Sequence, residues 1–375
     1  MTLATAVILS YNRQDVLRRQ LLYYANKPVH LIFADGSDDD WGGGDAGSIG
    51  EMTWEYFRIS GHDSVSKRLV EAVYRVETEF MFFLDDEECI LWTGVQKAVE
   101  FLKQNPDHSC AGGAVKIVTS VNRRMWVDRW GHWSRPFSLS DEDPIVRLTS
   151  LNKSKRTANL YYQIHRSLIV KKFAKRLSNF EVSRKYSGSV EIMFTGFVTV
   201  YGKWTSGDYP FWFRYGSSIA APSTVPSFMS VDEATEMVEW FDRAFIDIFL
   251  RVNSVEEKTL ITKDLHETLL RSYGEFASLP KRLRNKKNID RDFNWLISAV
   301  RNQSKYITKK LRRTYLPEAF ERKYPDEAMR FKTYQTRYSG GFKEVVADLA
   351  KFEDLWSRYP HGLSISQYQQ ELARM

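Results

Sequence analysis

The sequence predicts an α/β fold with a mostly parallel sheet and a helical C-terminal region. Three observations lead there. Short apolar runs rich in β-branched and aromatic residues alternate with helical periodicity over the first half. Each run stops abruptly at polar residues. The second half carries capping boxes followed by long 3.6-period apolar faces.

The elements follow in order. Residues 5–9 form a buried-strand pattern. Asn12 is placed to cap a helix with Asp15 at its third position and Leu17, Leu21 and Leu22 inward. Residues 29–34 form a second strand, ending at Asp35-Gly36-Ser37. Residues 38–50 are polar and glycine-rich and read as a surface loop. Val65, Leu69, Val70 and Val73 share one helical face. Residues 80–84 form a third strand, stopped by Asp85-Asp86-Glu87-Glu88. A helix over 95–102 and a strand over 114–118 continue the alternation. Beyond about residue 216 the pattern is helical: Ser230 with Glu233 and Ser254 with Glu257 are capping boxes, and further helices are expected over 295–300 and 345–356. The expected division is 1–215 and 216–375.

Composition limits the function classes. At 43% hydrophobic and 27% charged residues, 375 residues suit a large globular protein, not a disordered chain or coiled coil. Residues 281–313 hold 12 basic and 2 acidic side chains, so this stretch carries +10 of a formal +7 and the remainder is acidic. General nucleic-acid coating is excluded on that distribution. The segment has two leading readings, a solvated helix surface or a contact for an anionic membrane face. Two cysteines, Cys89 and Cys110, make neither a disulfide scaffold nor a metal pair, which points to a reducing cytosol. Neither a signal peptide nor a membrane span is expected, so membrane contact would be peripheral.

The acidic run carries the chemistry. Ligands of open α/β sheets bind beyond the carboxyl ends of strands. Carboxylates crowded there suit a hard cation such as Mg²⁺ or Mn²⁺, or else form a solvated acidic turn. Ser10-Tyr11-Asn12-Arg13 and Asp35 supply further polar strand ends. Together the three ends suggest one crevice for a nucleotide and a divalent metal.

These segments, Val7-Ile8-Leu9-Ser10-Tyr11-Asn12-Arg13, Ala34-Asp35-Gly36-Ser37 and Phe83-Leu84-Asp85-Asp86-Glu87, resemble the nucleotide-binding half of inverting family 2 glycosyltransferases of the GT-A fold. The resemblance covers roughly the first 90 residues and extends weakly to about 214. It implies that Ser10, Tyr11 and Arg13 open the donor pocket and that Asp35 recognises a uracil. It implies that Arg68 faces the nucleotide and that Asp85, Asp86 and Glu87 stand for the Asp-x-Asp element. Asp85 then lies on the ribose or metal side, with Glu87 in the metal slot. Glu87 departs from the commoner Asp. The family's base lies about a hundred residues further on. Glu191, 106 positions after Asp85 in an apolar stretch, fits that place and would have a raised pKa. A buried Glu that pairs with an Arg or caps a helix is the structural alternative. Asp141 and Asp143 are the second candidates, in an expected exposed loop.

The implied activity is transfer of a sugar, with inversion, from a nucleoside diphosphate, most simply UDP, to a hydroxyl of a glycan or lipid-linked acceptor. Trp126, Trp130, His132 and Trp133 either stack on the acceptor or pack structurally. Arg166 either faces a phosphate or makes an ion pair. The rival readings are a nucleotidyltransferase, which would need a glycine-rich loop after the first strand, and a non-catalytic sugar-nucleotide scaffold. A homodimer through the long helices is compatible with the pattern.

Overall fold

In the computed structural model, the described residues are 2–39, 41, 44–59, 65–121, 124–128, 136–154, 160–179, 187–215, 328–330, 343–360 and 362–375. The basic segment 281–313, both capping boxes, the 295–300 helix, Trp130, His132 and Trp133 lie outside them.

The expected parallel sheet is present. Strand β1 (Ala4–Ser10) lies between β2 (Val29–Asp35) and β5 (Phe80–Asp85), parallel to both, and β2 pairs in parallel with β4 (Met52–Arg58). β3 (Ala46–Ile49) forms an antiparallel edge hairpin with β4. On the other side β10 (Ile164–Arg166) runs antiparallel between β5 and β7 (His108–Val121). β7 continues to β8 (Arg124–Asp128) and β12 (Ala328–Arg330). β11 (Lys203–Tyr215) runs parallel to β7 and also pairs with β6 (Cys89–Ile90) and β9 (Phe137–Leu139). The central strands are apolar throughout because helices cover both faces.

The sequence reading differs from the structure at two places in this half. Residues 46–49, read as loop, are β3, and β4 was not foreseen, although Met52, Trp54 and Tyr56 alternate inward with Thr53, Glu55 and Phe57. Asn12 does not cap α1 (Gln14–Tyr24): Arg13 stands at the cap, and Asn12 takes a left-handed conformation with φ 55°. Its amide donates to Ser37 Oγ at 2.7 Å and its side-chain oxygen accepts from Asp38 N at 3.3 Å, so it joins two strand ends instead.

Helix α1 is buried over Val16–Tyr24, including Arg18, Arg19 and Gln20. What covers its polar side is the C-terminal pair, α7 (Lys343–Arg358) and α8 (Ile365–Arg374). Asp348 of α7 accepts from Tyr23 Oη at 2.9 Å, Lys27 Nζ at 2.5 Å and Thr93 N at 2.9 Å. Arg18 donates to the Leu363 carbonyl at 3.0 Å, and Leu363 N donates back to the Asp15 carbonyl at 2.8 Å. Gly362, at φ +95°, permits that approach, since a Cβ there would sit 2.3 Å from the Asp15 carbonyl carbon. The remaining helices are α2 (Val65–Arg75), α3 (Trp92–Gln104), α4 (Pro144–Ser154), α5 (Ser167–Leu177) and α6 (Ser187–Tyr201). Among the described residues no helix is long and apolar enough to cross a membrane.

Candidate active site

The parallel register brings the polar strand ends to one edge. Ser10 pairs with Asp35 across β1 and β2, and Leu9 pairs with Asp85 across β1 and β5. Gly36 N donates to the Ser10 carbonyl at 2.9 Å, locking the first two ends together. Asp35 is fully buried, and its oxygens accept from Ser37 N at 3.1 Å, Ser37 Oγ at 2.6 Å and Tyr56 Oη at 2.9 Å. Arg68 reaches in from α2 and lays its guanidinium on Gly36, where a Cβ would meet Nη1 at 2.3 Å. Tyr11 is half-buried in the turn after β1.

The acidic turn follows β5. Ser10 Oγ donates to Asp86 Oδ2 at 3.2 Å, and Arg13 Nη1 lies 3.1 Å from both Asp86 Oδ1 and Glu87 Oε1. Burial pushes the Asp86 carboxyl up to about 7, against the opposing pull of Arg13. Asp85 is also raised by burial, with Tyr162, Arg214 and Arg13 working the other way. Tyr162 Oη donates to Asp85 Oδ2 at 2.7 Å.

Glu191 arrives at the same place through packing. It sits on α6, one turn before Phe194 and on the same face. Phe194 meets Phe83 edge-on at 5.3 Å between centroids. Phe83 precedes Asp85 by two residues, so both point to one side of β5. The aromatic contact therefore carries Glu191 to Asp85. Desolvation, then the Asp85 charge, raise the Glu191 carboxyl to about 8, while Arg214 and a hydrogen bond from Tyr162 pull it down.

Sequence reasoning missed Trp212 and Arg214, gave Tyr162 no role of its own and took Glu88 only as a member of the acidic run. Glu88 is buried and accepts from Trp212 Nε1 at 2.6 Å, and Arg214 Nε lies 3.2 Å from its other oxygen. Trp212 stacks on Tyr162 at 4.1 Å. The alternation of Trp212 and Arg214 near the end of a long strand was the available signal. Of the open alternatives, Arg166 is structural: it pairs with Glu79 at 3.3 Å and donates to the carbonyls of His108, Leu102 and Asn105. Asp141 and Asp143 are exposed, as expected, and Asp141 accepts from Asp143 N within its own turn.

No family model matches the chain. No curated protein matches its sequence. Solved structures that align with it include residues 1–349 of S. aureus TarS, with TM-score 0.48 and 11% identity, covering 97% of this chain and 93% of that one. The same fragment in complex with UDP-GlcNAc aligns with TM-score 0.43 and 12% identity over 74% of this chain and 81% of that one. Its complex with UDP gives TM-score 0.38 and 12% identity, over 76% and 91%. The chemistry assigned below rests on the site's own geometry.

Two guanidiniums, Arg13 and Arg214, face five carboxylates here: Asp85, Asp86, Glu87, Glu88 and Glu191. Burial raises the pKa of four of them, Asp85, Asp86, Glu88 and Glu191, and a divalent cation beside them would favour their ionised forms. Among the described residues, no three metal-ligating side chains converge into a protein cage. Asp85 and Glu87 offer hard oxygens on one short turn, a donor set that suits Mg²⁺ or Mn²⁺ completed by phosphate oxygens.

Proposed function

We propose that the chain is an inverting glycosyltransferase of the GT-A type. It transfers a sugar from a nucleoside diphosphate, most simply UDP, to a hydroxyl of a glycan or lipid-linked acceptor. One observation carries this reading: Glu191, remote in sequence, lies near enough to Asp85, the partner of the Tyr162 hydroxyl at the acidic strand end, for that charge to raise its carboxyl. A base and a nucleotide-diphosphate edge side by side are what inversion requires.

In this reading Ser10, Tyr11, Asp35 and Arg68 hold the nucleoside end, at the edge of β1 and β2. Asp85 and Glu87 hold Mn²⁺ or Mg²⁺, which supplies charge neutralisation for the departing diphosphate. Glu191, with a pKa of about 8, is basic enough to draw the proton from an acceptor hydroxyl and is partly ionised near neutrality. As that proton moves to the Glu191 carboxylate, the acceptor oxygen bonds to the anomeric carbon. The bond from that carbon to the diphosphate breaks, and its electron pair leaves with the diphosphate. Arg13 fixes the direction of Asp86 and Glu87. The chain would work in the cytoplasm, with the basic segment 281–313 against the anionic inner face of the membrane, and a homodimer is part of the same proposal.

Calorimetric titration with UDP, with and without Mn²⁺, tests the donor. Absence of UDP binding under both conditions rejects it. Glu191→Gln should lower transfer by about 10²–10⁴-fold while UDP affinity stays within about twofold of the parent. An active variant moves the base elsewhere.

A further inference from the structure

The backbone of the acidic turn is not held by its own strand neighbours. Its three consecutive carbonyls are taken by side chains from α1 and α7. Gln20 Nε2 donates to the Asp86 carbonyl at 3.0 Å and to the Glu88 carbonyl at 2.5 Å. Between them the Glu87 carbonyl accepts from Trp356 Nε1 at 3.1 Å and from Arg19 Nη2 at 3.4 Å. Trp356 is fully buried. Arg19 lies over its indole at 4.2 Å, and Arg19 Nη1 donates to the Tyr359 carbonyl at 2.9 Å and the Pro360 carbonyl at 3.2 Å. Tyr23 and Phe352 pack on the same ring at 5.9 and 4.6 Å.

We infer that Trp356 is a positioning residue for the acidic turn, and that α7 sets the backbone from which the Glu87 side chain starts toward Arg13. Ser10, Arg13, Trp212 and Arg214 hold the turn's carboxylates, but its carbonyls depend on these donors: without the indole, the Glu87 carbonyl keeps only the longer Arg19 contact at 3.4 Å. The indole N–H is rigid, because its ring is boxed in by Arg19, Tyr23 and Phe352. It therefore sets the height of the Glu87 carbonyl and, through it, the start of the Glu87 side chain. Tryptophan is needed for the donor as well as the bulk, so Phe would fill the box without holding the turn. The consequence for donor binding rests on the glycosyltransferase reading; the ordering of the turn does not.

Trp356→Phe and Asp348→Asn separate the two roles. Both weaken the docking of α7, but only the first touches the turn. Hydrogen exchange of the full-length protein is followed in the peptide covering residues 85–91, alongside UDP titration in Mn²⁺. Trp356→Phe should speed exchange in that peptide by about fivefold or more, the equivalent of one lost hydrogen bond, and weaken UDP by a similar factor. Asp348→Asn should leave exchange there unchanged. Unchanged exchange in Trp356→Phe, or equal acceleration in both variants, overturns the proposal. Faster exchange with no UDP binding by the parent protein leaves the positioning role standing and rejects the donor. If Trp356→Phe does not fold, Arg19→Met reports on the same carbonyl by the same two measurements.

Discussion

Tyr162 is the hinge of the residue-scale chemistry. Its hydroxyl donates to Asp85 and lies close enough to Glu191 to lower that carboxyl too, and in both cases it favours the ionised form. Tyr162→Phe removes that support but keeps the ring on Trp212. The Glu191 carboxyl then rises above about 8, and the ascending limb of the pH profile of kcat/KM moves to higher pH. A limb that stays in place or moves lower dissociates the tyrosine from the base. The same carboxylates make stability depend on pH. Asp86 keeps its proton to about 7 and Glu191 to about 8, whereas the unfolded chain gives both up near the ordinary carboxylate values. Burial lowers His165 to about 4, so near pH 6.5 the unfolded chain still gains a fraction of a proton there, less than the two carboxyls hold in the native protein. From there to pH 8 the native protein holds more protons than the unfolded chain, so metal-free stability falls as pH rises. Urea midpoints at the two ends of that window check the sign; a higher midpoint at pH 8 refutes it.

At the scale of elements, the site is a product of register. Once β1, β2 and β5 run parallel, Ser10, Asp35 and Asp85 must meet at one edge, and this much was legible from where the apolar runs stop. The close approach of α2 to that edge needs Gly36. Gly36→Ala places a methyl group against the Arg68 guanidinium, the far end of a long side chain, which must shift to make room. The variant should fold with a Tm near that of the parent and bind UDP several-fold more weakly; unimpaired binding would remove Arg68 from the nucleotide pocket. Other elements were hidden for physical reasons. β4 carries a period of two, but the glycine-rich stretch before it masks its start. Glu191 could be singled out by its isolation among apolar residues. Its arrival at Asp85 depends on Phe194 meeting Phe83, a contact between elements that no local pattern encodes. Glu88 was visible but unassignable, because its partners Trp212 and Arg214 lie on a strand read only in its long-range pairing.

The whole molecule is tied together between its two ends. Buried Arg18, Arg19 and Gln20 on a short helix require polar partners over α1, and residues of the C-terminal helices and their connection supply several of them. Gly362→Ala tests this clasp. The strained φ and the clash with Asp15 should cost about 1–3 kcal/mol, read as a lower Tm by calorimetry. An unchanged Tm would show that Gly362 and Leu363 are not tightly seated against Asp15.

The order in which the chain is made gives this clasp a further meaning. Trp356 follows Glu87 by 269 residues. At about 5–20 residues per second on the ribosome, the sheet and its acidic edge emerge well before the indole that secures them. A chain that has not yet reached Trp356 lacks the indole donor to the Glu87 carbonyl, and on the glycosyltransferase reading it would hold its donor weakly.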